Sequence, residues 1–319
     1  QHFKDHDRVY RIYTSFMKDG NNEEFPAVSP PIAPGLADLL PEVDIAARSV
    51  MPPDVKQHLV RYKEKQFFES NGTLVDSTFF DIFDYEFAEG QRETALDAPA
   101  TVVITQELSR KLFGDQSGID ELLIINSGRS VDTFRVTGIL KKTSKKSHLD
   151  ASFYLSMNSE GWGRFVMQED TWAWNNFVGG YLKLKPGTDL VAFEAKMAEI
   201  LEQRAGEQLK GAGIKKVLHL QPIDDIRLYS NFSNAFGGDN NTGSITYIYI
   251  LGSIGVFILL IACINFMNLT TAKAAQRASE VGIRKSMGAH RSHLIRQFLG
   301  ESFTIVAVSL VLAVVMIYL

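Results

Sequence analysis

Residues 245–264 read ITYIYILGSIGVFILLIACI, and the rest of the chain is organised around this stretch. No charged residue occurs from Asn240 to Ala272. Twenty residues rising about 1.5 Å each form a helix roughly 30 Å long, which matches the hydrocarbon core of a bilayer. A second charge-free run follows at 302–319. The pattern predicts a transmembrane helix over 245–272 and the start of another over 303–319; a buried helix of a soluble protein would not explain two such runs.

Charge divides the chain in the same place. Residues 1–244 contain 27 Lys and Arg against 35 Asp and Glu, a net charge of −8, whereas residues 245–319 contain 6 against 2, a net charge of +4. An acidic large region argues against nucleic acid as a partner, because phosphate binding needs clustered basic residues. The basic segment 273–302 is expected in the cytoplasm by the positive-inside rule. Residues 1–244 would then be extracytoplasmic, with membrane lipid around the two helices.

Both ends of the extracytoplasmic region have a strand–helix–strand order. Period-two alternation or short apolar runs predict the strands, and a 3.6-residue period with capping residues predicts the helices, with Ser29 as a candidate N-cap. The first set is a strand at 8–16, a helix at 30–40 and a strand at 43–50; the last set is a strand at 181–184, a helix at 189–209 and a strand at 215–222. We therefore predict an α+β domain with one lobe from both ends, about 1–65 and 175–230, and an inserted lobe, about 66–174.

Two turn signals lie in the inserted region. Asn71-Gly72, within 66–76, predicts a hairpin, and Ser127-Gly128-Arg129, between strands at 122–126 and 131–140, predicts a second. Thr105 is a candidate cap for a helix at 106–113. Residues 141–150 are a polar connector, and 230–243 are a linker rich in Asn, Ser and Gly that leads into the membrane.

Catalytic motifs are few. The sequence has no P-loop, GxSxG, HExxH or CxxC motif, and its single cysteine, Cys263, lies in the first predicted span. His2 and His6 have a spacing that suits a metal on a helix, but two ligands are too few, so we expect no metal and no cofactor. Asp224-Asp225 is better explained as part of a turn. Three tryptophans, at positions 162, 172 and 174, are expected in the core, with a ligand groove as the alternative.

Small and polar residues interrupt the first span. Gly252 and Gly255 would let another helix approach closely, and Asn265 and Asn268 lie three residues apart on one helix face. These four residues are our candidates for packing between transmembrane helices. Headgroup depth is an equally good explanation for the two asparagines.

Three motifs around the basic segment resemble the FtsX/MacB-type ABC transporter permease family. They are CINFMNL at 263–269, RASEVGIRKSMGA at 277–289 and QFLGES at 297–302. Weaker matches to the family's periplasmic core domain occur upstream: DRVYR at 7–11, FFDIF at 79–83, LFG at 112–114, VTGIL at 136–140, SHL at 147–149 and LQPI at 220–223. The resemblance covers essentially the whole chain, which begins at Gln1 and stops inside an apolar run, so we expect it to be a fragment lacking an earlier transmembrane helix.

The resemblance implies a non-catalytic permease subunit in the bacterial inner membrane, with a porter-like lobe in its periplasmic domain. It implies a cytoplasmic coupling segment that docks on a separate ABC ATPase subunit, where ATP would bind. The residues expected to carry this contact are Glu280, Gly282, Arg284, Lys285, Gly288 and Ala289. A permease dimer or pseudo-dimer and a periplasmic adaptor or hydrolase are further partners implied by the family. Two alternatives stay open: a membrane-anchored scaffold or receptor that regulates an envelope protein such as a peptidoglycan hydrolase, and an extracytoplasmic enzyme.

Overall fold

A computed structural model describes residues 3–52, 55, 57–126, 128, 130–142, 147–230, 232, 245–288 and 290–318. The chain divides into two compact units, Gln1–Ile245 and Thr246–Leu319. The predicted linker at 230–243 lies outside the described residues, apart from Ser230 and Phe232.

The first unit is built from strands β1 to β13 and helices α1 to α6. The strands are β1 Val9–Lys18, β2 Asn21–Phe25, β3 Val43–Val50, β4 His58–Tyr62, β5 Lys65–Glu69, β6 Gly72–Val75, β7 Phe87–Gly90, β8 Thr101–Thr105, β9 Leu122–Asn126, β10 Val131–Leu140, β11 Phe153–Ser156, β12 Gly179–Leu184 and β13 Lys215–Pro222. The helices are α1 Ile32–Leu39, α2 Phe79–Ile82, α3 Gln106–Phe113, α4 Trp162–Gln168, α5 Leu190–Gly211 and α6 Ile226–Tyr229. Mixed strands and helices of this kind confirm the predicted α+β class.

These strands form one mixed sheet in the order β13-β1-β12-β3-β6-β11-β8-β10-β9-β4-β5, with β2 beside β1 and β7 beside β10. The pairs β6–β11 and β8–β10 are parallel. Four strands from the two ends of the chain, β13, β1, β12 and β3, lie side by side at one end of the sheet. Strand β4, although it falls within 1–65, pairs with β5 and β9 at the other end.

Several predicted elements have the expected bounds, and α3 has the expected cap. Strands β3 and β13 coincide with the predicted 43–50 and 215–222. Helix α5 is capped by Asp189, whose Oδ1 accepts hydrogen bonds from the main-chain N–H groups of Val191 at 3.0 Å and Ala192 at 3.3 Å. Thr105 caps α3 in the same way, accepting from the N–H of Leu108.

The hairpin predicted over 66–76 is wrong. Strand β5 pairs with β4, and β6 pairs with β3 and β11, so Asn71-Gly72 joins two strands that are not neighbours. Gly72 is needed for packing instead: a Cβ there would lie 2.2 Å from the ring of Phe153 in β11. The hairpin found in this region is instead β4–β5, which turns at Lys63, whose φ is +52°. The second predicted hairpin, β9–β10, is confirmed.

Ser29 does not cap α1. The N-cap position belongs to Pro31, which makes no side-chain cap. The buried Ser29 hydroxyl donates instead to the main-chain carbonyl of Trp174 at 2.5 Å. A tertiary contact has therefore replaced the local one that the sequence predicted.

Apolar side chains pack on both faces of the sheet. Alternate residues of β8 show this, since Val102 and Ile104 join one cluster and Val103 joins the other. The first cluster is covered by α1 and α5, and the second is rich in aromatic rings from α2 and its surroundings. Trp162 and Trp172 are buried in the first cluster, which confirms the core interpretation for these two tryptophans.

The second unit consists of two long helices, α7 Ile245–Ser286 and α8 Arg291–Tyr318. Two segments are long and apolar enough to cross a membrane, Ile245–Lys273 in α7 and Ile295–Ile317 in α8. Helix α7 continues for 13 residues beyond Lys273, a length of roughly 20 Å. Helix α7 therefore extends well into the predicted coupling segment, 273–302.

Candidate functional site

The candidate coupling residues lie at the end of α7 and in the turn that follows it. Glu280, Gly282, Arg284 and Lys285 are in the helix, although the side chain of Glu280 lies outside the described part of the structure. The Lys285 side chain is exposed. A cation at a helix C-terminus is favoured by the helix dipole and remains available to an acidic partner surface.

Arg284 also joins the two helices. Its Nη1 donates a hydrogen bond to Oε1 of Gln297 in α8 at 3.1 Å. The sequence singled out Arg284 but not Gln297, because the contact spans 13 residues and depends on how α8 turns back beside α7. This hydrogen bond links the last turn of α7 to the beginning of the second span.

The turn between the helices requires a glycine. The N–H of Met287 donates to the carbonyl of Ile283, and the N–H of Gly288 donates to the carbonyl of Lys285, both at 3.1 Å. Gly288 has a φ of +90°, a conformation that glycine adopts without steric cost. Gly282, in contrast, is an ordinary helical residue with open space where a Cβ would lie. Ala289 lies outside the described residues.

A groove of about 550 Å³ lies between α7 and α8 near these residues. Its walls are mostly apolar, and the charged groups along it come from Lys273 at the end of the first span and Glu301 within the second. A carboxylate inside a span is costly unless it has a partner or faces a protein interior. No pattern in the sequence indicates that Lys273 and Glu301 line one groove.

The candidate packing residues of the first span face outward. An added Cβ at Gly252 or Gly255 would meet no heavy atom within 4 Å. Asn265 and Asn268 are exposed as well. All four positions are therefore open to lipid or to another helix.

Two pairs of side chains in the first unit are of the types found in catalytic sites. Ser15 Oγ lies 2.8 Å from Nε2 of His219, and His6 Nδ1 lies 2.6 Å from Oδ2 of Asp224. Ser15 is buried in β1, and within the described residues the hydrogen bonds supply no carboxylate to His219. The same residues contain no group of three or more His, Cys, Asp or Glu that could hold a metal ion. Neither pair makes a complete acid–base site.

The first unit also contains a buried lysine, and the sequence did not predict its burial. The Lys216 ammonium donates to Ser29 Oγ at 2.9 Å and to the main-chain carbonyl of Trp172 at 2.6 Å. Burial away from water disfavours the charged form and lowers the pKa of Lys216 to about 7. In β13 this residue looks like one more surface lysine of an alternating strand, so sequence alone offers no signal for it.

Where the chain leaves the sheet toward the membrane, a buried arginine holds it. Arg11 Nη2 in β1 donates to Gln221 Oε1 at 2.7 Å and to Ser230 Oγ at 2.9 Å. The Arg11 guanidinium lies 5.0 Å from the centre of the Phe232 ring. The centres of the Phe232 and Tyr13 rings lie 5.2 Å apart. The last described residues before α7 are thus fastened to the central strand of this part of the sheet.

Comparison with known proteins places these features in a family. Residues 1–200 match the model of the MacB-like periplasmic core domain, and residues 252–319 match that of the FtsX-like permease C-terminal region. An uncharacterized ABC transporter permease, YknZ of Bacillus subtilis, is 27% identical over 200 residues, 63% of this chain and 43% of that protein. The pyoverdine export ATP-binding/permease protein PvdT of Pseudomonas syringae is 27% identical over 273 residues, 82% of this chain and 36% of that protein. The chain spans less than half the length of these relatives.

A solved structure shares the fold of the first unit. A domain of a permease protein from Porphyromonas gingivalis aligns with a TM-score of 0.58 at 21% identity, covering 70% of this chain and 92% of that domain. The first matched range contains strands β1 to β12, and the second contains most of α7 and all of α8. The chain belongs to the MacB-like and FtsX-like family of ABC transporter permeases, with a periplasmic core domain followed by membrane-spanning helices.

Proposed function

We propose that the chain is the permease subunit of an ABC exporter and that it takes its energy from ATP hydrolysis on a separate cytoplasmic subunit. The observation that carries the proposal is the continuity of α7. One helix of 42 residues includes the whole first span and ends at Arg284 and Lys285. The cations that would meet the ATPase therefore belong to the same rigid element that crosses the bilayer.

A continuous helix is stiff, and α7 would therefore transmit a movement of its cytoplasmic end. A flexible cytoplasmic loop would absorb a displacement, whereas a continuous helix carries it along its axis. The Arg284–Gln297 hydrogen bond would make α8 move with the end of α7, and the glycine turn at Gly288 keeps the two helices close at this point. Export is the activity in the printed names of relatives such as PvdT, and it is extended to this chain as part of the proposal.

Docking can be tested by co-expressing the chain with its proposed ABC ATPase subunit and purifying the complex. Arg284→Ala and Lys285→Ala each remove a cation from the proposed contact, and Arg296→Ala removes one from an exposed position on α8 and serves as the matched control. A charge-assisted contact contributes about 1.5–3 kcal/mol, so each test variant should weaken complex formation by about tenfold or more and lower the coupled ATP turnover. The control variant should do neither.

Equal binding and turnover in all three variants would refute the docking proposal. A second outcome would favour the scaffold function: the ATPase binds and hydrolyses ATP normally while an envelope hydrolase, and no export, depends on the chain. Measuring transport and hydrolase activity in the same cells separates these functions.

We also propose that two copies of the chain pair through the first span. Support comes from the open space at Gly252 and Gly255, where another helix could approach the backbone closely. Asn265 and Asn268 lie further along the same span and could donate hydrogen bonds to a neighbouring helix. A periplasmic adaptor or hydrolase would be a further partner of the first unit.

A further inference from the structure

We infer that the outer edge of β13, beside α5, is a docking site for an extended strand of a partner protein. In the described part of the chain, β13 is the last strand at its end of the sheet and pairs with β1 alone. The inference goes beyond the proposed coupling to an ATPase and does not depend on it.

The register shows which main-chain groups of β13 point outward. The N–H of Leu220 donates to Oε1 of Glu194 in α5 at 3.1 Å, so it does not bond to its partner Ile12 in β1. In an antiparallel pair, bonded and non-bonded positions alternate. Leu218 and Lys216, two and four residues before Leu220, therefore also direct their N–H and C=O groups away from β1.

The edge is protected along half of its length. Glu194 accepts the hydrogen bond of the Leu220 N–H, and Pro222 has no main-chain N–H. Both features prevent another strand from pairing with an exposed edge. No comparable device covers Lys216 and Leu218 among the described residues. The N-terminal half of β13 thus keeps two residues in the conformation that a further strand would require.

A cleft of about 430 Å³ adjoins this open half. The second half of α5 forms the other wall of the cleft. Ala198 and Gly206 in this wall are small, so they leave room in the cleft. Leu201 and Leu209 supply apolar surface. A free strand edge facing a helix across an apolar cleft is the arrangement in which some peptide-recognition domains take up an extended segment, with main-chain bonds for affinity and side-chain pockets for specificity.

The cleft also indicates the chemistry of its occupant. Two outward-facing residues can exchange four hydrogen bonds with a segment of three to four extended residues. One apolar side chain of that segment would enter the cleft against Leu201 and Leu209. Lys215 is exposed beside the cleft, whereas Lys210 is paired with Glu202, so an acidic side chain next to Lys215 would complete the contact. The partner segment is accordingly an extended, alternating apolar and acidic stretch.

Hydrogen–deuterium exchange on the full chain in lipid nanodiscs tests this inference. The probe is a capped ten-residue peptide of alternating valine and glutamate, and its control is the same peptide with N-methylated backbone amides. The unmodified peptide should slow exchange at Lys216 and Leu218 by at least tenfold at saturation, and the methylated peptide should not. Equal effects of both peptides, or no protection at these two amides at millimolar peptide, would overturn the inference.

A pair of glycine variants tests the cleft itself. The three heavy atoms nearest to a Cβ at Gly206 all belong to the carboxylate of Glu202, the end of a flexible side chain, so Gly206→Leu should fold and fill the cleft. Gly211→Leu adds the same side chain at the end of α5, where a Cβ meets nothing within 4 Å. Peptide affinity should fall at least tenfold in the first variant and less than twofold in the second. Equal affinity in the two variants would show that the peptide binds elsewhere.

Discussion

At the scale of single residues, the periplasmic core domain depends on a few buried charges. Arg48 in β3 makes a two-pronged contact with Asp76, which follows β6: Nε donates to Oδ2 and Nη2 to Oδ1, both at 2.9 Å. The main-chain N–H of Arg48 donates to the same carboxylate. This pair joins β3 to β6, where the strands from the chain ends meet the rest of the sheet.

Removing the Asp76 carboxylate should be strongly destabilising. Asp76→Ala leaves the buried Arg48 guanidinium without its counter-charge, a change that typically costs about 3–5 kcal/mol. The control is Glu86→Ala, since Glu86 is exposed and pairs with the exposed Lys141; such surface pairs contribute about 1 kcal/mol or less. Urea unfolding of residues 1–230, which contain both apolar clusters, measures the two losses. Equal losses would contradict the role given to Asp76.

The burial of Lys216 should make the stability of the first unit depend on pH. The pKa of Lys216 is about 7 in the folded domain and about 10.4 in an unfolded chain, so the unfolded state binds more protons between these values. Stability should therefore rise with pH from about 7 to 10, by up to about 1.4 kcal/mol per pH unit. Lys216→Met should remove this rise, and Lys215→Met, at an exposed position, should keep it. A flat wild-type profile would show that burial does not lower the pKa of Lys216.

The sequence predicted local contacts better than distant ones. The caps Asp189 and Thr105 were predictable, because each bonds to an N–H two or three residues away. Ser29 has the same chemistry, but its hydroxyl finds a carbonyl 145 residues away. Arg11 and Lys216 gave no signal either, because nothing in an alternating strand tells which polar residue the fold will bury.

At the scale of elements, the apolar run marks the first span and not the whole of α7. The span was predicted over 245–272, yet the helix runs through Ser286. Lysine and arginine are good helix formers, so a change from apolar to basic residues marks the membrane boundary and not the end of the helix. The hairpin error has the opposite origin: Asn71-Gly72 is a strong turn signal, but there Gly72 makes room for Phe153.

The first span makes a prediction about assembly. Gly252→Leu adds a large side chain where the proposed second copy approaches the helix, and Ile254→Leu changes an exposed position of the same span at nearly constant volume. Close approach of two helices needs a small residue at the contact, so Gly252→Leu should raise the dimer dissociation constant by about tenfold or more. Fluorescence energy transfer between labelled copies in liposomes measures both variants. Equal dissociation constants would place the dimer contact elsewhere.

At the scale of the whole molecule, the order of parts was predictable and the strand pairing was not. Charge and hydropathy located the boundary near residue 245, which is also the boundary of the two compact units. Pairing such as β4 with β9, or β6 with β11, links segments that no local pattern connects. The candidate coupling residues came from a motif, whereas Gln297, Glu301 and the edge of β13 became visible only in three dimensions.

The central claim is that the basic end of α7 lies in the cytoplasm and touches the ATPase. Site-specific photocrosslinking in intact membranes tests it most directly, with p-benzoylphenylalanine placed at Lys285 in one variant and at Lys210, on α5 of the first unit, in another. We expect a covalent adduct with the ATPase subunit from position 285 and none from position 210. An adduct from position 210, or none from 285 while the ATPase is bound, would contradict this claim.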